Sequence, residues 1–328
     1  MAELPQRGAV VGCGVIGAAW AARMRLRGID VAAYDPSPSA PEILDSVMAD
    51  AVSAWDALGL SIDRVGSLTL CGSIEAAVVN AGLIQESVPE RLEIKHSTLA
   101  AIDAAAPADA IIASSTSGYK PTDLATSMIR PERLVVAHPF NPVYLLPLVE
   151  IVGGEQTSLG TIDRAMDTYR ALGMHPLHVR KEIDAFIADR LLEAVWREAL
   201  WLVNDGIATT EEIDDAIRYG FGLRWAQMGT FETYRIAGGE GGMRHFMEQF
   251  GPALKWPWTK LMDTPELTDE LIDTIAEQSD EQAAGRSIRD LAQERDRNLV
   301  AILMALESVD AGAGKTITNL RSLQGPQR

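Results

Sequence analysis

The chain has 328 residues, 47% of them hydrophobic and 23% charged, a balance that suits a soluble globular protein long enough for two domains. Its net charge of -17 argues against a nucleic acid or an anionic membrane surface as partner, and no apolar run reaches the roughly 18 residues needed to span a bilayer. The two cysteines, Cys13 and Cys71, belong to no CxxC or Cys/His cluster, and a glycine-rich turn by Gly12 leaves no room for a leader, so a cytoplasmic chain with no structural metal is expected.

From residue 8 to about 180, short apolar runs at 9–13, 31–34, 68–71, 83–88, 110–114, 134–138 and 148–152 are separated by helical patterns such as 15–27 and 92–105. Residues 157–172 form another helical pattern before a last strand at 176–179. The alternation predicts an α/β fold of the Rossmann type, a doubly wound, mainly parallel sheet with helices on both faces. Near Asp184 the period changes. Residues 186–203 carry apolar side chains all round one long helix, which predicts burial between domains or subunits. Thr209-Thr210-Glu211-Glu212 is a capping box that starts the next helix, and helical patterns without a strand continue to Leu306. The reading is a dinucleotide-binding domain over 1–183, an all-α C-terminal domain over 184–310 and a Gly-rich, polar and flexible tail over 311–328. Gly312-Ala313-Gly314-Lys315-Thr316 imitates the end of a nucleotide-triphosphate loop, but Val309 stands where its first glycine belongs and no strand precedes it.

Gly12-Cys13-Gly14-Val15-Ile16-Gly17 follows the first strand and opens the first helix. A side chain at Gly12 would obstruct the tight turn, one at Gly14 would hold a pyrophosphate away, and Gly17 allows close helix packing. The free N–H groups around Val15 and Ile16 suit the phosphates. Asp35, at the end of the second strand, is placed to bind the adenosine ribose hydroxyls. Its carboxylate would repel a 2′-phosphate, and residues 36–39 supply no Arg or Lys in compensation, so the predicted cofactor is NAD rather than NADP.

His138, in His138-Pro139-Phe140-Asn141-Pro142, lies on one strand and Glu150 twelve residues later on the next. A neutral imidazole can take a hydroxyl proton as hydride leaves, and a neighbouring carboxylate stabilises the imidazolium. Ser117, just after the strand at 110–114, is placed to hydrogen-bond the reacting oxygen. Taken alone, a His beside a proline is more often structural.

The ordered set Ser115-Thr116-Ser117, His138-Pro139-Phe140-Asn141-Pro142, Leu148-Val149-Glu150 and Ala185-Phe186-Ile187-Ala188-Asp189-Arg190 resembles the L-3-hydroxyacyl-CoA dehydrogenase family. The resemblance implies that His138 is the base, Glu150 its partner and Ser117 the hydrogen-bond donor to the substrate oxygen, with Glu90 and Lys95 near the cofactor. It also implies a homodimer formed through the helical domain. Two departures turn the reading away from an acyl-CoA. Asp189 stands where the family usually has Asn, and residues 42–63 place five carboxylates and no basic residue where CoA phosphates would lie. The helical half resembles a branch of the family that acts on a small cationic 3-hydroxy acid bearing a quaternary ammonium. Aromatic faces suit such a cation: Trp225, Phe231, Tyr234, Trp256 and Trp258 are candidates, with Asp189 and Glu232 as counter-charges and Arg224 for the substrate carboxylate. A sugar-acid dehydrogenase, a 3-hydroxyacyl-CoA dehydrogenase and a non-catalytic NAD-binding structural protein are the competing readings.

Overall fold

The first strand, β1 (Arg7–Val11), is almost wholly buried, and the chain leaves it where Gly12 takes φ +92°, two residues before the predicted strand end. It enters α1 (Val15–Leu26) and returns as β2 (Asp30–Tyr34) parallel to β1. Then follow α2 (Ala40–Ala57), β3 (Leu68–Leu70), α3 (Ile74–Val78), β4 (Leu83–Glu86), α4 (Leu92–Ala105), β5 (Ile111–Ser114), α5 (Pro121–Ala125), β6 (Leu134–Pro139), β7 (Leu148–Val152), α6 (Leu159–Ala171) and β8 (His175–Val179). The computed structural model describes residues 4–238, 240, 242–250, 259 and 263–323.

The eight strands form one sheet in the order β3-β2-β1-β4-β5-β6-β7-β8. Every neighbouring pair is parallel except β6 and β7. Between those two the chain has only residues 140–147, too few for a crossover helix, so the second strand must run back along the first. The strand order reverses between β1 and β4, which opens a crevice at the strand ends where ligands of this architecture bind. β4, β5 and β6 are buried throughout, as near-continuous apolar strands covered on both faces should be.

Two compact units emerge: Met1–Asp189 with Asp296–Met304 and Lys315–Arg328, and Arg190–Arg295 with Ala305–Gly314. The break falls a few residues beyond the expected 183/184, and the first unit reclaims chain from the C-terminal part. The helices after the sheet are α7 (Ala188–Asn204), α8 (Thr210–Ala216), a π-turn at Ile217–Phe221, α9 (Gly222–Trp225), α10 (Thr230–Ala237), α11 (Gly242–Phe250), α12 (Asp269–Ala283), α13 (Ile288–Ser308) and α14 (Gly314–Leu323). The second unit contains no strand among the described residues. At α8 the Thr209 hydroxyl accepts the Glu212 N–H while the Glu212 carboxylate accepts the Thr209 N–H, the reciprocal cap read from the sequence.

One expectation is corrected. The C-terminal segment is not a flexible tail over its described part: α14 buries Ile317 (3% exposed) and Leu320 (1% exposed). Arg321 donates to the carbonyls of Leu58 and Gly59. Leu320 packs over Gly173, where a Cβ would fall only 2.1 Å from its Cδ2. Composition hid this because two apolar residues one helical turn apart suffice once a glycine makes room for Leu320. Helix α7 buries only Leu200 within this chain and exposes Leu191, Leu192 and Trp196. No helix among the described residues is long and apolar enough to cross a membrane.

Candidate active site

The cofactor cradle follows from three glycines with different tasks. Gly12 needs its left-handed backbone, and a Cβ there would come within 2.6 Å of the Ser87 backbone. A Cβ on Gly17 would overlap the Gly12 carbonyl oxygen, so this glycine closes the turn itself as well as letting α1 approach. A Cβ on Gly14 would meet no protein atom within 4 Å, so the constraint on this residue comes from what approaches the loop. Gly14 caps α1 without a side-chain hydrogen bond, and the first turn carries no acidic residue, which leaves N–H groups and the positive helix end for a pyrophosphate. Val15 is exposed and Ile16 half-buried beside it. Asp35 closes the cradle: one oxygen accepts the Cys13 N–H at 2.6 Å and the other the Ser37 N–H at 2.7 Å. Burial, then the Asp35 charge, pushes the Cys13 thiol up to about 12, so it lines the turn as a neutral group. These residues fit an adenine dinucleotide.

A buried charge cluster stands at the ends of β4 and β5. Lys95 Nζ donates to Glu86 Oε1 at 3.0 Å and to the Val88 carbonyl at 3.3 Å, and lies 3.1 Å from Glu90 Oε2. Three partners occupy its three donors, so Lys95 braces the two carboxylates rather than reaching into the crevice. Glu90 accepts from the Thr116 hydroxyl and from the N–H groups of Ser117 (3.1 Å) and Gly118 (3.2 Å). Its partial burial alone would raise its carboxyl, but the Thr116 hydroxyl, Lys95 and the Gly118 N–H outweigh that and hold it below the usual range. Ser117 is exposed on the loop after β5, tied through its backbone to this cluster. Glu86, wholly buried and bonded also to Ser114, was not singled out from the sequence.

His138 and Glu150 face each other directly across the antiparallel β6–β7 pair. Nδ1 of His138 lies 2.9 Å from Glu150 Oε2. The other oxygen, Oε1, accepts the N–H groups of Ile187 and Ala188, each at 3.0 Å, at the start of α7. Because a carboxylate only accepts, the 2.9 Å contact with Glu150 favours the tautomer with the proton on Nδ1, with Nε2 on the opposite edge of the ring. Phe140 meets the imidazole edge-on with centroids 5.1 Å apart, and Phe186 tilts against it at 5.6 Å. Phe186 is fully buried and, like Ala185, has positive φ (+51° and +58°), a strained turn that delivers the α7 N–H groups to Glu150. Asp189, on the first turn of α7, places Oδ2 3.5 Å from His138 Nε2. This arrangement can accept a proton at Nε2 and stabilise the resulting imidazolium.

Among the described residues, the helical-domain candidates Arg224, Trp225, Phe231, Glu232 and Tyr234 lie in the second unit and do not form one aromatic cage there. Trp225 is edge-on to Phe221 at 4.6 Å, Tyr234 is stacked on Phe246 at 4.6 Å, and Phe231 is 82% exposed. Arg224 and Glu232 are exposed on α9 and α10. Trp256 and Trp258 lie outside the described residues.

Residues 8–183 match the model of the 3-hydroxyacyl-CoA dehydrogenase NAD-binding domain, and residues 186–276 match that of the 3-hydroxyacyl-CoA dehydrogenase C-terminal domain. The chain is 60% identical to a Mesorhizobium japonicum protein named L-carnitine dehydrogenase, over 94% of this chain and 85% of that one. It is also 60% identical to an Agrobacterium fabrum protein named L-carnitine dehydrogenase/betainyl-CoA thioesterase, over 94% of this chain but only 63% of that longer one. Among solved structures, a 5-formyl-3-hydroxy-2-methylpyridine 4-carboxylic acid 5-dehydrogenase aligns with TM-score 0.78 and 29% identity, over 93% of this chain and 99% of that one. With both domain models matched in order, the chain belongs to the 3-hydroxyacyl-CoA dehydrogenase family of NAD-dependent oxidoreductases.

Proposed function

We propose that this chain oxidises the C3 hydroxyl of L-carnitine to 3-dehydrocarnitine with NAD, using His138 as general base. The observation that carries the proposal is the Glu150–His138–Asp189 line: one carboxylate on Nδ1 at 2.9 Å orients the base, and a second, 3.5 Å from Nε2, gives the reacting side a negative character suited to a cationic substrate. Relatives 60% identical that carry the name L-carnitine dehydrogenase support the same substrate. NAD, when bound on the Gly12–Gly17 turn, would supply the acceptor for the C3–H electron pair as hydride. The hydroxyl proton passes to Nε2, C3–O becomes a carbonyl, and the imidazolium, steadied by Glu150, later returns its proton to solvent. Ser117 hydrogen-bonds the substrate oxygen, while Glu90, held by Lys95, Thr116 and two backbone N–H groups, borders the cofactor. Arg224, Trp225, Phe231 and Tyr234 are the helical-domain candidates for the substrate's two ends.

An acyl-CoA fits less well. The α2 helix exposes Glu42, Asp45 and Asp56, an acidic surface hostile to CoA phosphates. The apolar side chains that α7 exposes, Leu191, Leu192 and Trp196, support a homodimer through the helical domain. Two free cysteines are compatible with a cytoplasmic setting.

The test is NADH formation by the purified protein with L-carnitine, L-gulonate and 3-hydroxybutyryl-CoA. L-carnitine is expected to be oxidised and the CoA ester ignored, and His138→Gln is expected to lower kcat by roughly 10² or more. Turnover of the CoA ester or of L-gulonate without turnover of L-carnitine overturns the substrate. A His138→Gln variant within about threefold of the parent chain removes the base.

A further inference from the structure

We propose that Asp189 decides which arm of the substrate lies on which side of the reacting carbon, and so sets both the preference for a cation and the choice of enantiomer. The inference rests on the reading of the substrate as a 3-hydroxy-4-trimethylammonio acid.

The geometry starts from the base. A hydroxyl that gives its proton to Nε2 must dock at about 2.8 Å from it. In the substrate the ammonium nitrogen is three bonds from the hydroxyl oxygen, a separation of roughly 3–4 Å whatever the torsion angle. The cation therefore sits within about 6–7 Å of Nε2 whenever the hydroxyl is in place. The Asp189 carboxylate, 3.5 Å from the same nitrogen and only 21% exposed, is within reach of that charge with little solvent to screen it. Among the described residues that touch the ring, the others cannot do this. Phe140 and Phe186 offer uncharged faces, and Glu150 is on Nδ1, saturated by three N–H donors. Asp189 is the carboxylate on the proton-accepting side.

The substrate's other arm ends in a carboxylate at comparable reach from the hydroxyl. Turning that arm toward Asp189 places like charges together, while turning the trimethylammonium toward it places opposite charges together. A quaternary ammonium has no N–H to donate, so charge and shape are the means of recognition. Once the hydroxyl is on Nε2 and the C–H is directed at the cofactor, the one freedom left is exchange of the two arms. That exchange is what distinguishes the enantiomers, and selection by charge becomes selection by hand. A family position that usually carries a neutral amide has here become a charged discriminator.

The test compares the parent chain with Asp189→Asn on three substrates: L-carnitine, D-carnitine and the neutral isostere in which tert-butyl replaces trimethylammonium. In the parent chain kcat/KM should favour L-carnitine over both of the others. In Asp189→Asn each preference should fall by about tenfold or more. Asp189→Glu, which keeps the charge, should retain part of what Asn loses, and it replaces Asn if that variant fails to bind NAD in a fluorescence titration. If Asn lowers all three substrates by one common factor, with a displaced acidic limb in the pH profile of kcat, Asp189 serves the imidazole alone and the proposal is overturned. Equal losses of preference in Glu and Asn overturn it too. A parent chain that does not oxidise L-carnitine overturns the substrate reading itself, which these variant comparisons keep separate.

Discussion

Replacing Glu150 by Gln should disable the base while leaving the fold nearly intact. The Glu150 carboxylate is fully buried and receives three N–H groups, from His138 Nδ1, Ile187 and Ala188, at 2.9, 3.0 and 3.0 Å. A glutamine offers one accepting oxygen and one donating NH2, and there are two ways to place them. With the oxygen toward His138, the NH2 opposes two backbone N–H groups, and each buried donor left unsatisfied costs roughly 1–3 kcal/mol. With the oxygen toward α7, the NH2 faces Nδ1, and the imidazole satisfies it by moving its own proton to Nε2. The second placement leaves one N–H of the amide without a partner, whereas the first orphans both backbone N–H groups as well as the amide donors, so the second should win. It also puts a proton on the nitrogen that must accept one, and a wrong tautomer of a catalytic histidine costs on the order of 10²–10⁴ in kcat. The assay is single-turnover NADH formation with C3-deuterated substrate, paired with nitrogen NMR of the labelled imidazole to read which nitrogen is protonated. Glu150→Gln should show a slow hydride step with a primary isotope effect and a proton on Nε2. A rate within about threefold of the parent chain, with Nε2 protonated, would refute the reasoning.

Two further outcomes test the cradle and the scaffold. Asp35 presents a carboxylate tied to the glycine loop, with no Arg or Lys at 36–39, so kcat/KM with NAD should exceed that with NADP by at least about tenfold; equal values would detach Asp35 from the ribose. Burial raises the Asp103 carboxyl, but the Arg133 guanidinium at 2.7 Å and the N–H groups of Ile129 and Arg130 outweigh it and hold the carboxyl below its usual value. A pKa lowered on folding contributes stability that is complete above the unfolded value near 3.9 and lost as pH falls through the folded value. Asp103→Asn should therefore lower unfolding stability at pH 7, and by progressively less as pH falls below the unfolded value near 3.9. A gap in urea unfolding that does not shrink as pH falls would contradict this.

Much of the first unit was legible in the residues because its signals are local. The glycine turn announces itself by Gly12, Gly14 and Gly17 after an apolar run, as does the cap in the second unit, where Thr209 and Glu212 lie within four residues. His138 and Glu150 were paired correctly because twelve residues between neighbouring strands allow a short return, and the structure sets them in register. Other features depend on distant partners and were hidden. Lys95 is placed near the cofactor by resemblance, and its partners Glu86, Glu90 and the Val88 carbonyl, which use up its donors, come from separate positions of the fold. Leu320 finds its burial only because Gly173 leaves space beneath it. Asp189 differs from the family's usual Asn in plain sight, yet its side of the imidazole is decided by the turn at Ala185 and Phe186, which hangs from Glu150. Residue type and spacing can specify which groups are present and which lie on one element. Which ring nitrogen a carboxylate faces depends on side chains from separate elements meeting within hydrogen-bond distance, and only the packed chain brings them there.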